Sequence, residues 1–325
     1  MYNQPEEILK LYDLQVKQIQ KGRGAYICET DRGFKILKEF GGSKERADFL
    51  AGVLQEISRQ GFLVEQVVRT KEESALSEDE FGNKYLLKDY YAGTECSPRS
   101  REDMKAALFC LAQFHQALRG LNVQIPDFVR DGAKDMLSVY EKHNRELTKV
   151  RNYVHTRKKK NEFEEKFREH YPHFMESAVK ATEMLRAYPR ERQAYFLCHG
   201  DYNQHNAVCT DSGWQIVNLE YLCYHLQVMD LANFIRKMME KNAWNPRLGM
   251  ELLESYQQIR PLPEEELRYL YLALAYPEKF WKVANHYYNS HKAWLSGRSI
   301  EKLDKVIEQE RAREEFLQNL FSVVL

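Results

Sequence analysis

Residues 195–221 read YFLCHGDYNQHNAVCTDSGWQIVNLEY, and this stretch interrupts a mainly helical pattern. Its apolar runs at 196–198, 207–209 and 214–219 predict three short strands. The Asp-Ser-Gly sequence at 211–213 is typical of a tight turn, so the last two strands should form a hairpin. Polar residues would then lie at the ends of strands, which is where functional sites are commonly built.

Two polar residues of this stretch have a spacing that suits phosphoryl transfer. Asp201 and Asn206 lie in the loop after the first strand. The carboxylate can orient an attacking hydroxyl and accept its proton, while the amide oxygen helps to hold Mg²⁺. A second acidic group is needed at the end of the next hairpin, because hard cations that bridge phosphates favour carboxylate oxygens. By hairpin geometry, the position for this group is Asn218 or Glu220.

The first ninety residues differ in pattern from the rest of the chain. Short apolar and β-branched runs are separated by glycines, which predicts an antiparallel arrangement of strands. Helical spacing over residues 43–60 predicts a helix with Ser43 as its N-cap. Strands are predicted at 16–19, 25–28, 34–40, 63–68 and 85–90.

From residue 91 onward the pattern is mainly helical outside the stretch quoted above. Apolar residues recur at helical spacing over 100–118, and helices are also predicted over 264–288 and 299–322. We therefore expect an α+β protein with two lobes. An N-terminal lobe over 1–90 would hold a five-stranded sheet and a helix, and a mainly helical C-terminal lobe would span 91–325. A length of 325 residues agrees with two domains.

Composition excludes several classes of protein. Lys and Arg total 48, as do Asp and Glu, and this balance argues against nucleic acid or an anionic membrane as the main partner. No window approaches about 18 consecutive apolar residues, so no transmembrane helix is expected. The N-terminus lacks a basic region followed by an apolar run, so we expect no secretory signal. The cysteines form no C-x-x-C pair, which indicates reduced thiols of a cytosolic protein.

Several motifs resemble those of a known superfamily. HGDYNQHN at 199–206 and IVNLEY at 216–221 resemble the catalytic and metal-binding loops of aminoglycoside phosphotransferases, within the protein-kinase-like fold. Other segments resemble the CotS family of bacterial spore coat proteins: TDRGFKILKEF (30–40), LLKDYYAGT (86–94), LAQFHQALRG (111–120), LCHGDY (197–202), MDLANFIRK (229–237) and YPEKFWKVANHYY (276–288). The resemblance covers nearly the whole chain. It implies a bilobal protein-kinase-like fold, with a small antiparallel-sheet lobe over the nucleotide and a large, mainly helical lobe that carries the catalytic loop and the acceptor side.

The resemblance also implies a role for each candidate site residue. Asp201 would be the catalytic base, Asn206 a magnesium ligand, and Lys38 the lysine that holds the α- and β-phosphates. Asp230 would brace the catalytic loop from the start of a helix. The hinge, whose backbone groups would meet the adenine, would consist of Asp89, Tyr90 and Tyr91. ATP and Mg²⁺ are the implied cofactors.

Three features depart from the pattern of the superfamily. Its metal-binding aspartate is here Asn218, and a neutral amide is a weaker ligand, so the magnesium site should be weakened. Glu220 is the carboxylate that could take its place. The helix predicted after Lys38 places no glutamate where it could pair with that lysine. KGRGAY at 21–26 is a poor glycine-rich loop.

Two functions stay open on these grounds. In the first, the chain is a kinase-like spore coat protein of the CotS family whose phosphotransferase activity is weak or lost, and it acts in coat assembly or binding with other coat proteins. In the second, it is an active ATP-dependent phosphotransferase that uses Asp201 as base on the hydroxyl of a small molecule or sugar. The expected location is the cytoplasm of the mother cell, then the spore coat. Neither nucleic acid nor a membrane is expected as a partner.

Overall fold

The computed structural model describes residues 5–132, 135–188, 195–290 and 297–324. Contacts between residues divide the chain into two compact units. The first unit comprises Met1–Arg130 and Phe196–His225, and the second comprises Asp131–Tyr195 and Leu226–Leu325. The first unit thus contains both the N-terminal strands and the strands of the motif-bearing stretch. The lobe boundary near residue 90 stays a prediction.

The first unit contains small antiparallel sheets and a few helices. Its strands are β1 (Val16–Gly22), β2 (Ala25–Thr30), β3 (Gly33–Glu39), β4 (Ser77–Glu78), β5 (Lys84–Asp89), β6 (Thr94–Glu95), β7 (Phe196–Cys198), β8 (Ala207–Thr210), β9 (Gly213–Ile216) and β10 (Cys223–His225). Its helices are α1 (Pro5–Leu9), α2 (Lys44–Arg59), α3 (Arg101–Arg119) and α4 (Asp127–Arg130). The main sheet has the strand order β1-β2-β3-β5-β4, and two smaller sheets have the orders β6-β8-β9 and β10-β7.

The N-terminal part of the main sheet forms as its sequence predicts. β2 and β3 are joined by a two-residue turn, since Thr30 pairs with Gly33, whose φ of 83° suits glycine. The Ser43 side chain accepts a hydrogen bond from the N–H of Arg46 at 3.3 Å and caps α2 as predicted. One face of the sheet is closed by α1. Buried side chains of this core are Ile8, Leu9, Tyr12, Cys28, Leu37, Tyr85 and Leu87.

The prediction of a strand over residues 63–68 is wrong. This segment lies alongside β5 but forms only a single bridge with it, between Val67 and Lys88. The side chain of Gln66 explains the irregularity, because its amide group donates to the carbonyls of Leu54 and Val64, both at 3.1 Å. Such side-chain bonds compete with a regular ladder. The last strand of the sheet is instead the short β4.

The motif-bearing stretch forms two hairpin-like pairs that frame a loop. β7 pairs with β10, and β8 pairs with β9 through the predicted turn. β9 ends at Ile216 and therefore sooner than the apolar run 214–219 predicts. A single 3-10 turn at Gln204–Asn206 lies between β7 and β8, and another at Leu219–Tyr221 lies between β9 and β10. α3 packs against β7 and β9, so a long, regular helix supports the strands that carry the site.

Helices make up the regular structure described for the second unit. They are α5 (Met136–Thr156), α6 (Glu162–Ala187), α7 (Val228–Lys241), α8 (Pro246–Gln257), α9 (Glu264–Ala275), α10 (Glu278–Asn289) and α11 (Gly297–Val324). The predicted helix 264–288 is in fact two helices, because Pro277 interrupts it. Stacked rings join α6 to α10, with Phe174 and Phe280 at a centroid distance of 4.2 Å. Within the described ranges, no helix combines the length and the apolar character that crossing a membrane requires.

Candidate functional site

The loop after β7 is held in place by its own backbone geometry. Gly200 has a φ of 85°, and a Cβ there would lie 2.2 Å from the carbonyl oxygen of Tyr221. Only glycine fits, because both the backbone conformation and the close approach exclude a side chain. The buried ring of His199 contacts the Val217 carbonyl through Nε2 at 3.0 Å and accepts the N–H of Asp201 on Nδ1 at 3.2 Å. His199 therefore shapes the loop.

The backbone carbonyl of Asp201 is the anchor of the next turn. It accepts hydrogen bonds from the side-chain amides of Asn203 and Asn206, each at 2.8 Å. The hydroxyl of Tyr202, which is fully buried, donates to the carbonyl of Ala107 on α3 at 2.8 Å. These bonds explain why the loop is rich in amides: they replace the ladder bonds that an irregular segment lacks. Asp201, the predicted base, is partly exposed at this position.

A continuous chain of hydrogen bonds joins Lys38 to this loop. The ammonium group of Lys38 donates to Oδ1 of Asn218 at 3.3 Å. Nδ2 of Asn218 donates to Oδ1 of Asn206 at 2.8 Å, and Nδ2 of Asn206 donates to the Asp201 carbonyl. The direction of the chain is determined by its ends, because an ammonium group only donates and a carbonyl only accepts. Both amide oxygens that sequence reasoning assigned to magnesium thus already accept a hydrogen bond.

Glu220 takes part in a buried ion-pair network. Its Oε1 lies 2.7 Å from the ammonium group of Lys88 and 3.3 Å from that of Lys38. Lys88, only 1% exposed, also donates to Oε1 of Glu65 at 2.8 Å. Glu65 in turn accepts the backbone N–H of Leu219 at 2.9 Å. Two cations and two anions therefore face one another, and the network carries no net charge.

The charges of this network stabilise one another. Burial on its own would raise the pKa of Glu220, but Lys88 and Lys38 outweigh it and lower that pKa to about 2. Burial would likewise lower the pKa of Lys88, yet Glu65 and Glu220 raise it above its usual value. Glu220 and Lys88 are therefore both charged at neutral pH.

One oxygen of the network is not used by the part of the chain that the structure describes. Oε2 of Glu220 is buried and has no hydrogen-bond partner there. A buried carboxylate oxygen without a partner is costly, so such an atom commonly marks a place for a ligand, a water or an ion. Glu220 is the carboxylate that sequence reasoning offered as a substitute metal ligand.

The predicted hinge lies at the end of β5. Oδ1 of Asp89 accepts from the ammonium group of Lys35 at 2.7 Å, and its Oδ2 accepts the N–H of Gln66 at 3.0 Å. The N–H of Tyr90 donates to the carbonyl of Phe34 at 3.1 Å. Burial, with smaller contributions from nearby carboxylates, raises the pKa of Tyr91 to about 12. Asp89 thus ties the hinge to β3 and to the irregular segment 63–68.

The structure brings some predicted residues together and leaves others apart. Lys38, Asn206, Asn218 and Glu220 form one connected group with the Asp201 backbone. Asp230 is buried in the first turn of α7, in the second compact unit, and its bracing role stays a prediction.

Sequence reasoning missed two residues of the network, Lys88 and Glu65. The signal for Lys88 was present, since a lysine directly after the apolar pair Leu86 and Leu87 in a strand calls for a buried partner. Nothing in the local pattern marks Glu65, because its segment is irregular.

Comparison with known proteins identifies the family. A family model described as "Spore coat putative kinase YutH" matches residues 5–320. The chain belongs to this family of spore coat kinase-like proteins. Spore coat protein S of Bacillus subtilis is 24% identical over 328 residues, which cover 97% of this chain and 93% of that protein. The predicted resemblance to spore coat proteins is confirmed.

Solved structures confirm the predicted fold. An aminoglycoside phosphotransferase from Alicyclobacillus acidocaldarius superposes with a TM-score of 0.86 at 19% identity, covering 100% of this chain and 97% of that one. An AMP-bound spectinomycin phosphotransferase gives 0.66 at 14% identity, with 94% and 96% covered. An amicoumacin kinase in complex with AMP-PNP and Ca²⁺ gives 0.64 at 14% identity, with 97% and 94% covered. The chain therefore has the bilobal, protein-kinase-like fold of aminoglycoside phosphotransferases.

Proposed function

We propose that the protein acts in the spore coat, in assembly or in binding of other coat proteins, and that its phosphotransferase activity is weak or lost. The observation that carries this proposal is the hydrogen-bond chain from Lys38 through Asn218 and Asn206 to the Asp201 carbonyl. In this arrangement the side chains of Lys38, Asn218 and Asn206 are hydrogen-bonded to one another or to the backbone of the loop. The protein would be made in the mother-cell cytoplasm and then join the coat.

The oxygen atoms around this chain of hydrogen bonds are a poor set of ligands for Mg²⁺. A magnesium ion that bridges phosphates needs anionic oxygen ligands, and Asn206 and Asn218 offer only neutral amide oxygens. Glu220, the carboxylate that could act as a substitute ligand, already faces two ammonium groups, whose positive charge repels a divalent cation. This donor set supports weak metal binding and hence weak charge stabilisation during phosphoryl transfer.

Binding of a nucleotide without metal is compatible with the same geometry. The side chain of Lys38 is 29% exposed, so its ammonium group can reach a phosphate by leaving Asn218. Lys88 would keep Glu220 compensated when Lys38 moves. We therefore expect ATP to bind modestly and with little help from magnesium, as in a protein that uses a nucleotide as a structural ligand.

Calorimetric titration with ATP tests this proposal. The expected result is the same modest affinity in excess Mg²⁺ and in EDTA, with a loss in both conditions for Lys38→Met. Exposed Lys105→Met, on α3, is the matched control and should bind as the wild type does. Tight binding that requires magnesium, with ATP turnover that Asp201→Ala abolishes, would contradict the proposal.

A second function has its own supporting observation, the unpartnered Oε2 of Glu220. If this oxygen and Asn206 hold Mg²⁺, the protein would be an active phosphotransferase with Asp201 as the base for a hydroxyl of a small molecule or sugar. Positioning and charge stabilisation carry most of this chemistry.

A screen of acceptors tests the second function. It predicts phosphate transfer from ATP to a sugar, an aminoglycoside or a coat component, with a rate that falls by orders of magnitude in Asp201→Asn. Transfer to none of these acceptors, at enzyme concentrations high enough to detect single turnovers, would contradict this second function.

A further inference from the structure

Two thiols meet where β7 pairs with β10. Cys198 and Cys223 lie directly opposite each other in this antiparallel pair, and their Sγ atoms are 3.3 Å apart. Facing residues of antiparallel strands have Cα separations of about 4.5–5.5 Å, which fall within the range that disulfides span. Sulfur atoms in a disulfide are about 2.05 Å apart, so side-chain movement of about 1 Å closes the bond.

The two thiols differ in access to solvent. Cys198 is 1% exposed, whereas Cys223 is partly exposed. A small oxidant in solution therefore meets Cys223 first, and Cys198 is positioned behind it to react in turn. Such a pair, with one accessible thiol and one resolving thiol, is the arrangement found in cysteines that oxidise reversibly.

We propose that Cys198 and Cys223 form a reversible disulfide when the protein meets a peroxide. The Cys223 thiolate attacks one peroxide oxygen, the O–O bond breaks, and a sulfenic acid and one water form. The Cys198 sulfur then attacks the Cys223 sulfur while its proton passes to the departing hydroxyl, so the S–S bond forms, the S–O bond breaks, and a second water leaves. Each sulfur gives up one electron, the peroxide takes up two, and both thiol protons end in water.

The bond would tie together the two segments that carry the carboxylates of the site. Cys198 comes three residues before Asp201, and Cys223 comes three residues after Glu220. The segments already touch, since a Cβ on Gly200 would lie 2.2 Å from the Tyr221 carbonyl oxygen and 3.2 Å from the Cys223 sulfur. Oxidation would lock this contact whether or not the site transfers phosphate, so the inference is independent of the proposed function.

The other four cysteines lack this combination, and three of them, Cys28, Cys96 and Cys110, are buried. Cys209 is exposed but faces Trp214 on one neighbouring strand and Thr94 on the other. Burial, with Glu6 adding to it, raises the pKa of Cys28 to about 11, and burial raises the pKa of Cys110 to about 12. These two thiols stay protonated and therefore react slowly. Cys209 therefore serves as the control for the effect of solvent exposure alone on oxidation.

Peptide mapping after treatment with hydrogen peroxide tests the proposal on the full-length protein. The expected result is a cross-linked peptide pair, lighter by two hydrogens, that joins Cys198 to Cys223 and separates on addition of dithiothreitol. It should form before Cys209 is oxidised to the same extent. Recovery of Cys198 and Cys223 as separate alkylated peptides when Cys209 is fully oxidised would overturn the proposal.

Single variants test the order of attack. In Cys198→Ser the sulfenic acid on Cys223 has no resolving thiol, so dimedone should label Cys223. In Cys223→Ser no intramolecular disulfide should form, and Cys209→Ser should form the disulfide as the wild type does. In Cys198→Ser, dimedone labelling of Cys209 without labelling of Cys223 would overturn the proposed order of attack. Even if a variant fails to fold, the peptide map of the wild type decides whether the disulfide forms.

Discussion

Asn218 occupies a backbone conformation that few residues accept. Its φ of 63° and ψ of 48° lie in the left-handed region, which asparagine, aspartate and glycine tolerate. An aspartate can therefore replace it without new strain, so the backbone does not explain the amide. What the amide provides is a donor for Asn206 and an acceptor for Lys38, both of which the hydrogen-bond chain uses.

Asn218→Asp should therefore make ATP binding depend on magnesium. The new carboxylate supplies the missing anionic ligand and cannot donate to Asn206, whose oxygen becomes available to the metal. We expect ATP affinity to rise about tenfold or more in Mg²⁺ relative to EDTA, measured by calorimetry. Asn218→Gly keeps the backbone conformation and removes the ligand, so it is the matched control and should show no such rise. Equal affinities of Asn218→Asp in the two conditions would contradict the prediction.

Lys88→Met should destabilise the protein strongly. Removal of the ammonium group leaves the buried carboxylates of Glu65 and Glu220 facing each other with only Lys38 to compensate them. Breaking a buried pair in this way costs about 3–5 kcal/mol of unfolding free energy, to be measured by urea denaturation. Lys84→Met, four residues away on β5, is the control and should lower the unfolding free energy far less. A similar loss in the two variants would show that the network does not stabilise the fold.

At the scale of elements, α2 contacts the site through an arginine. Arg46 donates to the carbonyl of Leu222 at 2.9 Å and to that of Glu220 at 3.4 Å. The sequence predicts that no glutamate of α2 pairs with Lys38. In the structure the partner of Lys38 is Glu220, which lies outside this helix. The helix thus supports the lysine indirectly, by holding the segment that carries its partner.

Arg46→Met should loosen the segment 219–223 selectively. Without the guanidinium group, the two carbonyls lose their donor and the 3-10 turn opens more often. We expect faster amide hydrogen exchange over this segment and unchanged exchange in β1 and β2, measured by mass spectrometry. Arg59→Met, on the exposed end of the same helix, should leave both regions unchanged. Unaltered exchange at 219–223 in Arg46→Met would rule out this role.

Elements with a strong local pattern were predictable, and those that depend on distant partners were not. The meander of β1 to β3 and the Ser43 cap follow from turn chemistry and periodicity. Segment 63–68 has the composition of a strand, but bonds of the Gln66 side chain keep it irregular. Neighbouring motif residues pointed to the loop of Asp201, whereas Lys88 and Glu220 lie 132 positions apart and no local spacing links them.

At the scale of the whole molecule, equal totals of 48 cationic and 48 anionic residues conceal how charge is placed. The candidate site repeats this balance on a small scale, since Lys38 and Lys88 face Glu65 and Glu220. A phosphotransferase site normally leaves excess positive charge for the polyphosphate. Here Lys38 and Lys88 are paired with the protein's own carboxylates, and this pairing supports the proposal of weak phosphotransferase activity.

The stability of the protein should therefore fall in acid partly through Glu220. Its pKa in the folded protein is about 2, against the usual 4.5. A lowered pKa stabilises the fold fully above pH 4.5, and this contribution is lost as the pH falls from 4.5 towards 2. The shift corresponds to about 3 kcal/mol at neutral pH, since one pKa unit is worth about 1.4 kcal/mol.

Urea denaturation of the wild type and of Glu220→Gln at a series of pH values measures this contribution. The unfolding free energy of the wild type should exceed that of the variant by about 3 kcal/mol near neutrality, and the two curves should converge as the pH falls from 4.5 towards 2. Glu165→Gln changes an exposed glutamate of α6, so its curve should run parallel to that of the wild type. A constant gap between wild type and Glu220→Gln over the same window would mean that the carboxylate of Glu220 is not held ionised by Lys88 and Lys38, because a charge that both states lose at the same pH cannot change the slope.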